Sequence, residues 1–171
     1  MPVTIRDATA ADVEAFVAMK IEAWRWAYAG MLPAQHLAAM SVAEQADGWR
    51  RGIADPEAGR GVIVALDEVS IVGMASFLPS RDPDADAHTG ELGALYVLPS
   101  YVGTGLGRRL FETSLERLRE AGFARATLWV LEANDRGRAF YERMGWRADD
   151  ARDDHAVECA DRPMVRYASD L

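Results

Sequence analysis

The stretch Glu91 to Leu118, ELGALYVLPSYVGTGLGRRLFETSLERL, constrains this chain more than any other. An apolar, strand-like run (Leu92, Ala94, Leu95, Tyr96, Val97 and Leu98) stops at Pro99. It then passes through a turn carrying Gly103, Gly105 and Gly107 and enters an amphipathic helix. The first turn of a helix has amide donors without internal partners, and its dipole places about half a positive charge there. A strand, a glycine turn and a helix in this order therefore present a backbone cradle to an anion such as pyrophosphate. Arg108 and Arg109 point the same way, because a positive charge at a helix start costs about 0.3 to 1 kcal/mol unless an anion offsets it. Gly93 inside the strand predicts a bulge, and a strand bent at a bulge leaves backbone groups free to pair with an amide-bearing ligand.

Two other nucleotide motifs fit poorly. The glycines read G-x-G-x-G, whereas the dinucleotide fingerprint wants G-x-G-x-x-G near the first strand of a βαβ unit, with an acid about 20 residues on. Counting from Gly103 puts Arg108 at the third glycine, and Glu132 lies 29 residues beyond Gly103. No Gly-Lys-Ser/Thr follows the turn, which excludes a P-loop. A tight turn with no ligand is the remaining alternative.

At 171 residues and with 27% charged side chains, the chain reads as one soluble domain spanning 1–171. A net charge of -8 argues against nucleic acid as the main partner and suits a cationic one. No apolar run approaches the roughly 18 residues of a membrane helix, and MPVTIRDATA resembles no targeting segment, so the expectation is a cytoplasmic protein without a membrane partner. Cys159, the lone cysteine, reads as a packed or partly exposed side chain rather than a nucleophile or zinc ligand.

Along the chain, Val3 to Arg6 reads as a strand, and Thr9 with Asp12 has the spacing of a capping box. Val13, Phe16, Val17, Trp24 and Tyr28 form the buried stripe of a first helix. A turn of helix around Gln35 to Met40 precedes a second helix, opened by Ser41 with Glu44 and closed by Asp55-Pro56. Gly61 to Leu66 and Ile71 to Leu78 read as an antiparallel hairpin. Ser80 to Thr89 is a solvated acidic loop. Its Asp82, Asp84 and Asp86 begin a calcium-loop pattern that then fails at Ala87 and Gly93. After the glycine turn and its helix, Gly122 caps, Arg125 to Leu131 is a strand, and Asn134 starts a short helix ending at Met144 and Gly145. An extended segment near Trp146 and a strand over Pro163 to Ala168 complete a mixed α/β sheet.

YVLPSYVGTGLGRRLF followed by VLEANDRGRAFYERMGW resembles the GNAT superfamily of acyl-coenzyme A dependent N-acetyltransferases, well over residues 60 to 147 and loosely before that. The resemblance implies a single-domain α/β GNAT-like fold: a mixed central sheet with a bulged, splayed central strand, flanked by helices. It implies acetyl-CoA as acyl donor and no metal. It also implies backbone contacts from Leu95, Tyr96 and Val97, and a phosphate loop of Gly103, Thr104, Gly105, Leu106, Gly107 and Arg108. Asn134 and Tyr141 make up its second motif. Val102 stands where the family usually has Gln or Arg. Asn134 and Tyr141 are seven residues apart, so on a helix they point the same way about 10 Å apart, which suits an extended pantetheine arm.

An amine attacking a thioester needs a neutral nucleophile, stabilisation of the oxyanion and a proton for the thiolate. By resemblance Tyr141 is the acid. Transfer from a phenol to a thiolate is uphill by roughly 2 kcal/mol, so hydrogen bonding to sulfur is its main expected role. Glu91 is the candidate base, with a solvated strand end as the alternative reading. Glu22 and Trp26 share a helix face, and with Tyr28 and the acidic loop they are candidates for binding the acceptor, a primary amine of a small molecule, with a polyamine as one case. A protein N-terminal or lysine acetyltransferase and a silent acyl-coenzyme A sensor are the rivals, and a homodimer is left open.

Overall fold

The computed structural model describes residues 2–55, 59–153 and 157–171. Among them lie β1 (Thr4–Asp7), α1 (Val13–Ala27), α2 (Ala34–Ala39), α3 (Val42–Ala54), β2 (Gly61–Asp67) and β3 (Ser70–Pro79). β4 (Thr89–Val97), α4 (Leu106–Glu120), β5 (Arg125–Leu131), α5 (Asp135–Arg143), β6 (Arg147–Asp153) and β7 (Met164–Asp170) follow. The sheet runs β1-β2-β3-β4-β5-β7-β6 and is antiparallel except where β4 meets β5.

One face of the sheet packs α4 and α5, the other α1 and α3. α4 supplies Leu106, Leu110, Phe111, Leu115 and Leu118, spaced to form one stripe and all buried. Each such side chain is worth about 1.5 to 3 kcal/mol once removed from water. α1 buries Val13, Phe16, Val17 and Trp24 on the opposite face, as its spacing predicts. Its entry is less direct than the capping box implies. Asp12 accepts from the Thr9 amide (2.7 Å) and hydroxyl (2.9 Å) over a single 3-10 turn, and is gripped by Arg6 (2.8 Å). Ser41 caps α3 by accepting from the Glu44 amide. Pro56, the expected stop after α3, lies outside the described residues.

The bulge expected at Gly93 is present. Ser76 pairs with Ala94 and Phe77 with Leu92, so Gly93 is skipped in the register with β3. A Cβ there would lie 2.9 Å from Leu78 Cδ2 and 3.0 Å from Ser76 Oγ, which is why a glycine occupies the bulge. β4 pairs with β5 only from Thr89 to Leu92, while β5 continues along β7 to Leu131. Beyond the bulge the two central strands therefore part.

The acidic loop is not merely solvated. Arg166 on β7 donates to Asp84 through both terminal nitrogens (2.6 and 2.7 Å), to Asp82 (3.2 Å) and to Asp149 of β6 (2.9 Å). Asp82 also accepts from Trp129 Nε1 (2.8 Å) and Thr127 Oγ1 (3.0 Å) of β5. Asp86 turns back on the Thr89 hydroxyl (2.8 Å) and the His88 amide. One arginine thus ties the loop and three strands together. Replacing it by leucine leaves the buried Asp82 carboxylate uncompensated. Arg166→Leu is expected to cost about 3 kcal/mol, read as a lower urea midpoint. An unchanged midpoint would show that the clamp carries no net stability.

Candidate active site

The parting of β4 and β5 opens a cavity of about 1160 Å³. β4 forms one wall. Leu98 donates its amide to Val72 of β3 at 2.9 Å. In an antiparallel pair the hydrogen-bonding groups of successive residues alternate in direction, so Ala94 and Tyr96 also face β3. Leu95 and Val97 therefore turn their N–H and C=O groups toward the gap. Of the backbone contacts expected from Leu95, Tyr96 and Val97, the middle one is corrected, because Tyr96's backbone is used by β3. Its side chain lines the cavity instead, on the α1 side of the sheet.

The glycine turn forms the next wall. Gly103 (φ +82°) and Gly105 (φ +89°) adopt left-handed backbone that only glycine accepts freely. Thr104 Oγ1 closes the turn on the Tyr101 carbonyl (2.7 Å), and Tyr101 is anchored through its hydroxyl to Asp67. The amides of Gly103, Gly105, Leu106, Gly107 and Arg108 meet no acceptor among the described residues, whereas that of Arg109 is already bonded to the Gly105 carbonyl. These free donors stand at the positive end of α4. The side-chain argument from the two arginines changes. Arg109 reaches back to the Val3 carbonyl (2.9 Å), so its place at the helix start needs no anion. Arg108 lines the cavity while donating to Glu112 (2.7 Å).

α5 supplies the third wall. Asn134 caps it, buried, with Oδ1 accepting from the Gly137 amide at 3.0 Å. Gly137 makes this possible: a Cβ there would lie 2.6 Å from Asn134 Nδ2. Tyr141 lines the cavity on the same helix, packed against Phe111 and Phe140. Its hydroxyl has no hydrogen-bond partner among the described residues, and burial raises its pKa above the ordinary phenol value. Burial does the same for Tyr28 and Tyr96.

Glu91 lies on the cavity wall, buried, but it is engaged. Arg81 donates to it through its backbone amide (3.0 Å) and through Nη2 (2.6 Å), and the arginine side chain is 68% exposed. Glu91 is thus neither a solvated strand end nor a free carboxylate. The three acceptor candidates separate. Tyr28 and Trp26 line the cavity, though the Trp26 ring carries the Arg136 guanidinium 4.1 Å from its centroid. Glu22 is exposed and is not part of the wall. Asp82 and Asp84, expected to draw a cation, are both engaged by Arg166, which they share with Asp149, so the cluster keeps a net negative charge. Trp24 and Arg81, neither of them a sequence candidate for the site, do line the cavity. Arg81 carried no signal, since its partner is ten residues away across a loop.

The architecture of a split parallel pair, a glycine turn and a capped second helix can be compared with known proteins. Residues 20–146 match the acetyltransferase (GNAT) family. The chain belongs to that family and is an N-acetyltransferase. It is 33% identical to the uncharacterized N-acetyltransferase YuaI of Bacillus subtilis over 77% of this chain and 73% of that one. It is 24% identical to a protein named spermidine N(1)-acetyltransferase of Thermoplasma acidophilum, over 88% and 91% of the two chains. The fold superposes on the PaiA N-acetyltransferase of Thermoplasma acidophilum, solved in complex with coenzyme A. The TM-score is 0.82 at 19% identity, covering all of both chains. In this acetyltransferase the family match begins within α1 and ends at Trp146, so it takes in the β4, α4 and α5 walls of the cavity, while lining residues such as Cys159, Met164 and Arg166 lie beyond it. No helix among the described residues is long and apolar enough to cross a membrane.

Proposed function

We propose that the protein transfers an acetyl group from acetyl-CoA to a primary amine of a small molecule, by direct attack and without a metal or a covalent enzyme intermediate. The observation that carries this reading is the continuity of unpaired backbone donors along one cavity: Leu95 and Val97 on β4, then Gly103 and Gly105 to Arg108 at the start of α4. Such a line suits an extended ligand with amides at one end and a pyrophosphate at the other, and coenzyme A has that form. The neighbour solved with coenzyme A lends support.

Acetyl-CoA supplies an activated acyl thioester when bound. The chain's own groups do the rest. Gly103 and Gly105 to Arg108 hold the pyrophosphate through amides, and Asn134 fixes the start of α5 beside it. The Leu95 and Val97 amides offer donors in the gap, where charge developing on a carbonyl oxygen is stabilised. Tyr141, with its pKa raised by burial, keeps its proton and serves as a hydrogen-bond donor to the departing sulfur rather than as a full acid. Glu91 is the carboxylate for taking the amine's proton, through water or once Arg81 swings outward. The acceptor enters over α1 beside Tyr28. A polyamine falls within this class, and the relative named for spermidine supports including it.

Two substitutions test this assignment. At Gly105 a Cβ meets nothing within 4 Å, so a valine is refused by the +89° backbone and not by crowding. Gly105→Val is expected to weaken coenzyme A binding about tenfold or more by calorimetry, and retained affinity would remove the cradle. Tyr141→Phe is expected to lower kcat about a hundredfold with coenzyme affinity nearly unchanged, measured by thiol release. An unaltered kcat would remove its role.

A further inference from the structure

A second cavity, of about 610 Å³, adjoins the first. Trp24 and Glu158 line both, so the two cavities meet at these residues. Trp24 is buried there, whereas Glu158 is exposed. Glu158 belongs to a single 3-10 turn (Val157–Cys159) ahead of β7. Its backbone is fixed against α2, because His36 Nε2 donates to its carbonyl oxygen at 2.9 Å.

No lysine or arginine forms an ion pair with the Glu158 carboxylate among the described residues. Its charge acts on Arg81 and on Lys20, but both of these cations are held elsewhere. Arg81 Nη2 binds Glu91 at 2.6 Å. Lys20 Nζ donates to Gln45 Oε1 at 2.9 Å and faces the rings of Trp24 and Trp49, 4.8 and 5.7 Å from their centroids. The rest of the first cavity's wall adds negative charge, since Asp82 and Asp84 share Arg166 with Asp149. A carboxylate on a cavity wall without a cation of its own favours a ligand that brings one.

The two nitrogens of a diamine have different needs. The attacking one must be neutral, and Glu91 is the carboxylate assigned to its proton. The other remains an ammonium at neutral pH and gains from a counter-charge. Lys20, buried in the second cavity, repels a cation from its floor, while the exposed Glu44 and Glu158 attract one to its rim. The stable place for that ammonium is therefore the junction of the two cavities.

We propose that the Glu158 carboxylate pairs with the second, non-reacting ammonium of the acceptor, so that the preferred acceptor is a diamine or longer polyamine rather than a monoamine. Glu158 is then a specificity-determining residue, and this rests on the small-amine reading above.

The test compares isosteric amines with and without the second charge: putrescine against pentylamine, and cadaverine against hexylamine, measured by thiol release. The wild type is expected to prefer the diamine in kcat/KM. Glu158→Gln is expected to reduce that preference about fivefold. Glu116→Gln, which removes the same charge from an exposed position on α4 outside both cavities, is expected to leave it unchanged. Comparing ratios within one protein sample cancels differences in amine pKa and in folded fraction. A preference unchanged in Glu158→Gln, or lowered equally in Glu116→Gln, overturns the proposal. Should Glu158→Gln not fold, the wild type decides: pentylamine turned over as efficiently as putrescine overturns it, and a preference for putrescine that declines with added salt supports it. Turnover of none of these amines overturns the small-amine reading as well, whereas turnover with an unaltered preference overturns the Glu158 proposal alone.

Discussion

The separation of β4 from β5 after Leu92 is the constraint on which the rest of the molecule depends. A parallel pair inside a sheet normally satisfies its backbone groups along its length, and leaving them unmet is expensive. Here one skipped residue, Gly93, bends β4 away and exposes Leu95 and Val97 to the gap. The price is recovered only by something that brings its own hydrogen-bonding groups. The sheet remains rigid around the opening because β4 stays paired to β3 and β5 stays paired to β7.

The division of labour inside the cavity follows from this. Donors on the β4 and α4 walls are backbone amides, held by strand and helix geometry and indifferent to side-chain identity. Val102, where the family usually has a polar residue, can therefore be apolar. Several side-chain charges serve architecture: Arg166 fastens the acidic loop, Arg81 covers Glu91, and Arg109 ties α4 to Val3 just before β1. The acceptor side of the cavity carries the aromatic rings of Trp24, Trp26 and Tyr28 on α1 and at its end.

Much of the donor half was legible in the sequence, because it rests on residues whose backbone requirements are local. Gly103 and Gly105 require positive φ, Gly93 admits a neighbouring strand, and Asn134 caps a helix through its own side chain. The acceptor half was not legible, because it is made of contacts between distant segments. Asp82 and Asp84 read as solvated acids because Arg166 lies more than eighty positions away. Glu22 and Trp26 share a helix face by spacing, but spacing does not say which neighbour covers it, and Arg136 of α5 reaches Trp26. Trp24 read as core, and it is buried. Only the structure shows that its ring also borders the cavity. The insertion of β7 between β5 and β6 likewise has no local signature.

The central claim is that backbone amides freed by the split strand and the glycine turn hold the acyl donor. Residue-resolved amide hydrogen exchange, with and without saturating coenzyme A, addresses it most directly. The account predicts slowed exchange at Leu95, Val97, Gly105, Leu106 and Gly107, with Tyr96, already bonded to β3, changed little. Coenzyme A bound tightly with no added protection at those amides, or with Tyr96 protected in place of Leu95 and Val97, would contradict it.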